Sequence, residues 1–253
     1  MHAARIADLL QPFLSEPLSA FQLEQISIYI DLLQRWNARI NLTAIRNEEE
    51  IVTRHFGESL FLARHIFSSY DPCRVERRAS PPVHPDTSPR SGTPISPRVE
   101  LRTPTHVVDI GSGAGFPALP IKINAPAIRL TMIESNHKKA TFLREVIRTL
   151  TLTNVDASVE VRAERAEALA SNPSFPRANC VTFRAVEKFD QTLKQATTLL
   201  APDGTLALLI GSNQRGVLKT IPEFQWADPI PVPLSESRII QLGQAHRSGV
   251  TAR

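Results

Sequence analysis

Apolar residues at Leu23, Ile26, Ile30 and Leu33 recur in steps of three and four, which lays them along one face of a helix over about residues 19–42. Ser19, three positions before Gln22, supplies a capping-box pattern at its start. A second helical pattern covers 48–68, so the N-terminal fifth of the chain reads as helical. Beyond residue 105 the period changes. Short apolar, often β-branched runs at 107–110, 128–133, 159–162, 180–183 and 205–210 predict strands. Between them a helix begins within 117–123, and others occupy about 138–150 and 191–200. A last run at 237–242 predicts a further strand, set antiparallel. Strand and helix in alternation predict an α/β fold: an open, doubly wound, mostly parallel sheet preceded by a helical extension.

Between the two halves the composition shifts. Residues 71–105 hold Pro72, Pro81, Pro82, Pro85, Pro89, Pro94, Pro97 and Pro104, eight of the chain's 20 prolines, and Ser, Thr and Arg fill most of the rest. Proline removes backbone donors and breaks helices, so this segment reads as a flexible, partly extended insertion. The chain thus divides into a helical region (1–70), the insertion (71–105) and a sheet domain (106–253). With 253 residues, 42% of them hydrophobic, it can build a sizeable core and is not globally disordered. A net charge of +4 leans toward an acidic partner such as nucleic acid without selecting one. Cys73 and Cys180 stand alone and far apart, which argues against a disulfide framework or zinc site. No apolar run is long enough to span a bilayer, and charge arrives too early for a secretory signal. The expectation is a cytoplasmic protein with no membrane or metal partner.

Candidate chemistry gathers where the first predicted strand ends. Val107-Val108-Asp109-Ile110 runs into Gly111-Ser112-Gly113-Ala114-Gly115, a buried strand breaking into a turn where a ligand can approach bare backbone. A dinucleotide site would ask for G-x-G-x-x-G, and Phe116 stands where its last glycine would fall, which weakens a nicotinamide reading. An acid two residues before the first glycine is instead the pattern of S-adenosylmethionine methyltransferases. Asp109 can receive that ligand's ammonium group, directly or through water, where it would repel a pyrophosphate. Glu134 closes the second strand, at a place where a carboxylate accepts ribose hydroxyls in nucleoside sites of either kind. Ala163 and Glu164 follow the third strand and could border an adenine, although a solvated helix start explains them equally well. Arg184, at the carboxyl edge after the fourth strand, is a ligand contact or half of a structural salt bridge. Lys138, Lys139 and Arg144, with His137 and Arg148, set cations at the start and along one side of a helix. They could meet phosphates, and an ordinary solvated helix face accounts for the same spacing. No Ser/His/Asp, Cys/His or metal-ligand spacing is recognisable.

Two upstream motifs complete a resemblance. Trp36-Asn37-Ala38-Arg39-Ile40-Asn41-Leu42-Thr43 is similar to W-N-x-x-x-N-L-T, and Arg54-His55-Phe56-Gly57-Glu58-Ser59-Leu60 to R-H-I-x-D-S-L. With the D-I-G-S-G-A-G-F-P run at Asp109–Pro117, they resemble the RsmG (GidB) family of bacterial small-subunit rRNA methyltransferases. The resemblance implies a Rossmann-like class I methyltransferase fold. It implies S-adenosylmethionine as cofactor, contacted by Gly111, Phe116, Ala163, Glu164 and Arg184, and Asp109, Gly113, Gly115 and Glu134 complete the expected cofactor-binding set. The implied reaction is methylation of guanine N7 in the 530 loop of 16S rRNA, at guanosine 527. Because N7 already carries a lone pair and no proton, no general base is expected; Arg184 positions, and Lys138, Lys139 and Arg144 hold RNA. A monomer acting on the small ribosomal subunit is expected. The chain departs from the family at Ala118 (glycine), Glu58 (aspartate) and Ile210, where L-K-G becomes Leu209-Ile210-Gly211 and Arg215 is a neighbouring cation. The rival readings are a non-catalytic RNA-binding or ribosome-assembly protein and an NAD-dependent oxidoreductase.

Overall fold

A computed structural model describes residues 1–67, 106–152, 158–184 and 188–245, so the stretch read as an insertion at 71–105 lies outside the described residues. Five strands pair in parallel: β1 (His106–Ile110), β2 (Arg129–Ile133), β3 (Val159–Arg162), β4 (Ala178–Arg184) and β5 (Leu200–Gly211). Then β6 (Phe224–Trp226), β7 (Ile230–Pro231) and β8 (Arg238–Ala245) complete the sheet, β8 lying antiparallel to β5 as the late run predicts. Across the sheet the order is β3–β2–β1–β4–β5–β8–β6, with β7 also paired to β8. The chain steps outward from β1 to β3, then crosses back to lay β4 on the other side of β1. That reversal leaves a crevice at the carboxyl ends of β1 and β4, where open α/β sheets bind ligands.

Helices α5 (Ala118–Asn124) and α6 (His137–Thr149) cover one face; α7 (Ala166–Ala170), α8 (Phe189–Leu199) and α9 (Arg215–Leu218) cover the other. The N-terminal elements are α1 (Ala3–Leu10), α2 (Ala20–Ile40), α3 (Glu48–Glu50), a π-helical turn (Ile51–Gly57) and α4 (Glu58–Phe67). They join α5 and α6 in one apolar cluster that contains Ile6, Tyr29, Leu33, Phe56, Phe116, Leu119 and Phe142. The predicted box starts α2: Ser19 Oγ accepts from the Gln22 amide at 3.3 Å, and Gln22 Oε1 accepts from the Ser19 amide at 2.9 Å.

Two predictions shift. The helix expected over 48–68 contains the π turn, where an i→i+5 ladder replaces i→i+4; seven residues of altered turn are too few to change an apolar pattern. The strand expected at 205–210 begins at Leu200, because the register jumps from Ala178↔Leu200 to Cys180↔Thr205 and the extra residues bulge around Pro202, Asp203 and Gly204.

Successive strand residues point to opposite faces. Val107 and Cys180 join the N-terminal side, whereas Val108, Val181, Phe183 and Ile210 join the α8 side. By that alternation Asp109, Thr182 and Arg184 face the N-terminal helices, and so does Arg238, two residues before Ile240 on β8.

Candidate functional site

The loop after β1 has a shape that only glycine holds comfortably. Gly111, Gly113 and Gly115 take φ values of 68°, 55° and 87°, in the left-handed region that side chains resist. The amides of Gly111 and Ser112 both donate to the Ile133 carbonyl, at 2.8 and 3.1 Å, which hangs the loop on the end of β2. A Cβ at Gly113 would meet only the Gly111 carbonyl oxygen, at 3.8 Å, so that position opens onto free space. A Cβ at Gly115 would lie 2.3 Å from the Tyr29 hydroxyl, so the N-terminal helix α2 requires that glycine. Tyr29 also donates to the Ala114 carbonyl at 2.5 Å.

Beneath the loop lies Asp109, fully buried, with neither carboxyl oxygen hydrogen-bonded among the described residues. Ser112 Oγ donates instead to the Asp109 backbone carbonyl, at 3.2 Å. Burial pushes the Asp109 carboxyl up to about 7, against a downward pull from the nearby Ser112 hydroxyl and with a smaller upward push from the charge of Glu134. Thr182, its register partner on β4, has a buried hydroxyl without a partner as well. Glu134 is nearly buried and already employed: its carboxylate accepts from the Gly113 amide and from the Asn136 amide, each at 2.8 Å. Asn136 in turn caps α6 through the Lys138 and Lys139 amides. Glu134 therefore ties the glycine loop to the start of α6. Parallel register brings Ala163 and Glu164, just past the end of β3, to the same edge of the sheet. Glu164 is exposed and lies 3.7 Å from Arg162.

Arg184 ends β4 on the side of the N-terminal helices, and it makes the salt bridge that spacing leaves open. Its Nη2 lies 3.1 Å from Glu58 Oε2, and Arg238 Nη1 donates to the same oxygen at 2.9 Å. The Arg184 side chain is 7% exposed, and its Nη1 is buried with no partner among the described residues. Burial lowers the guanidinium to about 10, which leaves it charged at neutral pH.

Here the upstream motifs meet the loop. Asn37 clasps the Thr43 backbone with both ends of its amide, at 2.9 and 3.0 Å, and Thr43 Oγ1 lies 2.8 Å from His55 Nε2. His55 stacks on Phe116 with ring centroids 4.6 Å apart, and Tyr29 stacks on Phe116 at 5.4 Å. Burial, with Arg184, Arg54 and Arg238 nearby, drives His55 down to about 3, so its ring is neutral. Phe116 is thus a packed aromatic anchor in the place where a dinucleotide site needs a glycine.

The basic residues separate. Lys138 is exposed and Lys139 half-buried at the start of α6, beside Asn136 and Glu134. Arg144 does not share their environment. It turns toward the outer strand and donates to the Val161 carbonyl at 3.2 Å, in a cleft it lines with Arg148. Ile210 is buried on the α8 face, away from Arg184, and Arg215 is exposed at the start of α9. Among the described residues, no group of three or more His, Cys, Asp or Glu side chains could hold a metal ion, and no helix is long and apolar enough to cross a membrane. Tyr29, His55 and Arg238 were not singled out from spacing, and Glu58 stood out only as a departure within its motif.

The family described as rRNA small subunit methyltransferase G (GidB) matches residues 22–73 and 95–223. A Chloroflexus aggregans protein named ribosomal RNA small subunit methyltransferase G is 33% identical over 231 residues, covering 88% of this chain and 81% of its own. A Xylella fastidiosa protein of the same name is 32% identical, covering 81% of this chain and 78% of its own. Among solved structures, a Klebsiella pneumoniae protein described as an O-methyltransferase superposes with a TM-score of 0.53 at 13% identity, over 87% of this chain and 90% of its own, a likeness of fold.

Proposed function

The chain belongs to the rRNA small subunit methyltransferase G (GidB) family, and on that premise we propose that it transfers a methyl group from S-adenosylmethionine to N7 of a guanine in 16S rRNA. As an rRNA methyltransferase on a Rossmann-like sheet it needs a cofactor edge, and the carboxyl ends of β1, β2, β3 and β4 supply one. The observation that carries the cofactor reading is Asp109: a buried carboxyl without a hydrogen-bond partner among the described residues, under a glycine loop whose middle residue faces open space. When bound, S-adenosylmethionine supplies an electrophilic methyl group on a sulfonium centre.

This chain's residues do the holding. Asp109 sets a negative charge under the loop for the cofactor's ammonium group. Gly111, Gly113 and Gly115 let the ligand lie against backbone, and Phe116, clamped between His55 and Tyr29, walls one side. Glu134 fixes the loop through Gly113 and keeps lone pairs for ribose hydroxyls. Ala163 and Glu164 border the base. Arg184, whose Nη1 has no partner among the described residues, orients the reacting groups. Guanine N7 offers an in-plane lone pair, so catalysis is alignment and exclusion of water rather than proton transfer. Phosphates of the folded RNA meet Lys138 and Lys139 next to the loop and Arg144 about 9 Å further along α6, with shape guiding recognition more than sequence.

The phenyl ring at Phe116 leaves no close backbone approach for a pyrophosphate, so a nicotinamide enzyme is not favoured. Small ribosomal subunits incubated with the protein and methyl-labelled S-adenosylmethionine should gain label at one guanine N7, located by mapping the modified base. Arg184→Ala should lose most of that label. Full methylation by the variant would remove Arg184 from the mechanism, and no label with the native chain would leave the sheet as a non-catalytic RNA-binding scaffold.

A further inference from the structure

We propose that Glu58 is a positioning residue for this reaction, acting through Arg184; the inference rests on reading the β1–β4 edge as the cofactor and acceptor site. A guanidinium holds its donors in one rigid plane, so fixing one nitrogen fixes the direction of the others. Glu58 Oε2 fixes Nη2 of Arg184 at 3.1 Å, and among the described residues Nη1 of the same group is left buried and unpaired. In an ion pair that served the fold alone, that donor would be a defect. At the carboxyl end of β4, beside the glycine loop, it is a donor held ready for a bound group.

Arg238 completes the device. Its Nη1 reaches the same carboxylate oxygen at 2.9 Å, and its side chain is 28% exposed against 7% for Arg184. The two guanidiniums share one oxygen, Arg184 on the buried side and Arg238 nearer the rim. Arg54, also within electrostatic range of Arg184, has its own partner in Glu50 at 2.7 Å. The carboxylate comes from outside the core sheet. Glu58 opens α4 immediately after the π turn, three residues beyond His55, the ring that stacks on Phe116. π-helical turns are rare and recur at functional sites. This one sets a wall of the loop and the direction of Arg184 together.

Binding of S-adenosylhomocysteine, measured by calorimetry, tests the inference without requiring turnover. Glu58→Gln keeps the shape and removes the charge; it should weaken binding about tenfold or more in protein shown by its melting curve to be folded. Glu58→Asp keeps the charge but shortens the reach, and should weaken binding by a smaller factor. In an Arg184→Met background neither substitution should change affinity further, because the group through which Glu58 acts is gone. Native affinity in Glu58→Gln, or an undiminished loss in the Arg184→Met background, would overturn the proposal. If Glu58→Gln does not fold, Glu58→Asp and its combination with Arg184→Met carry the same comparison. A native chain that binds no S-adenosylhomocysteine would sink the cofactor reading itself, a failure distinct from that of Glu58.

Discussion

Asp109 shows how one buried group links the site to pH. Before the cofactor binds, its carboxyl titrates near 7 because burial disfavours the charge, whereas an ammonium partner needs the carboxylate. Binding must then expel a proton below pH 7. Affinity for S-adenosylmethionine should fall by about tenfold per pH unit below that point and level off above it, with matching proton release in calorimetry across buffers. Asp109→Asn should bind weakly with no such slope. The effect on stability has the opposite sign. The folded chain holds this proton up to about 7 and the unfolded chain only to about 3.9, so this group's contribution to stability declines as pH rises through that window, by about 1.4 kcal/mol per unit at most. Comparison with Asp109→Asn isolates this contribution: the native chain's urea midpoint should fall relative to the variant's from about pH 5 to 7 and level off by about pH 8. His55 acts in the opposite direction: neutral down to about 3 in the folded chain and titrating near 6.5 when unfolded, it adds stability as pH rises from about 3 to about 6.5. The loop, Asp109, Glu134 and Arg184 are legible in the sequence because parallel strands deliver their last residues to one edge. Tyr29, Glu58 and Arg238 are not, because their contacts join positions 85 and 180 residues apart, and no local spacing carries such a pair.

At the scale of elements, α2 and the glycine loop are fitted to each other. Tyr29→Phe keeps the ring stacked on Phe116 and loses only the bond to the Ala114 carbonyl; it should cost about 1 kcal/mol and loosen cofactor binding. Gly115→Ala should cost more, at least 2 kcal/mol, since the new carbon meets both the hydroxyl and Leu119 at a positive φ. Combining it with Tyr29→Phe should recover part of the loss, which denaturant melts of the four proteins would show. Ser19→Ala removes the side-chain half of the capping box and should lower stability by about 1 kcal/mol, a shift of about 2–4 °C in Tm. The box, the amphipathic face of α2 and the strand cores were readable because each repeats with a fixed period. Helix α1 escaped notice because its two buried residues, Ile6 and Leu10, are a single i,i+4 pair. The π turn escaped because its widening leaves the pattern of apolar residues unchanged.

For the molecule as a whole, the N-terminal helices and one face of the sheet share a single core. A fragment of residues 106–253 would expose Phe116, Leu119, Phe142 and Leu143 to water. Such a fragment should melt without a cooperative transition, whereas the full chain should melt as one unit; a sharp transition from the fragment would refute the shared core. The boundary between helical and sheet regions is visible in composition, but the packing that joins them is not, because composition records neither face nor partner. One consequence concerns life in a crowded cell. β3 ends the sheet on one side, and an unguarded outer strand is a template for strand pairing between copies. Arg144 blocks it by occupying the Val161 carbonyl with a charged group. Arg144→Ser should therefore raise light scattering at high protein concentration even where methylation survives. By its hold on the Val161 carbonyl, Arg144 is expected to act against strand pairing between copies.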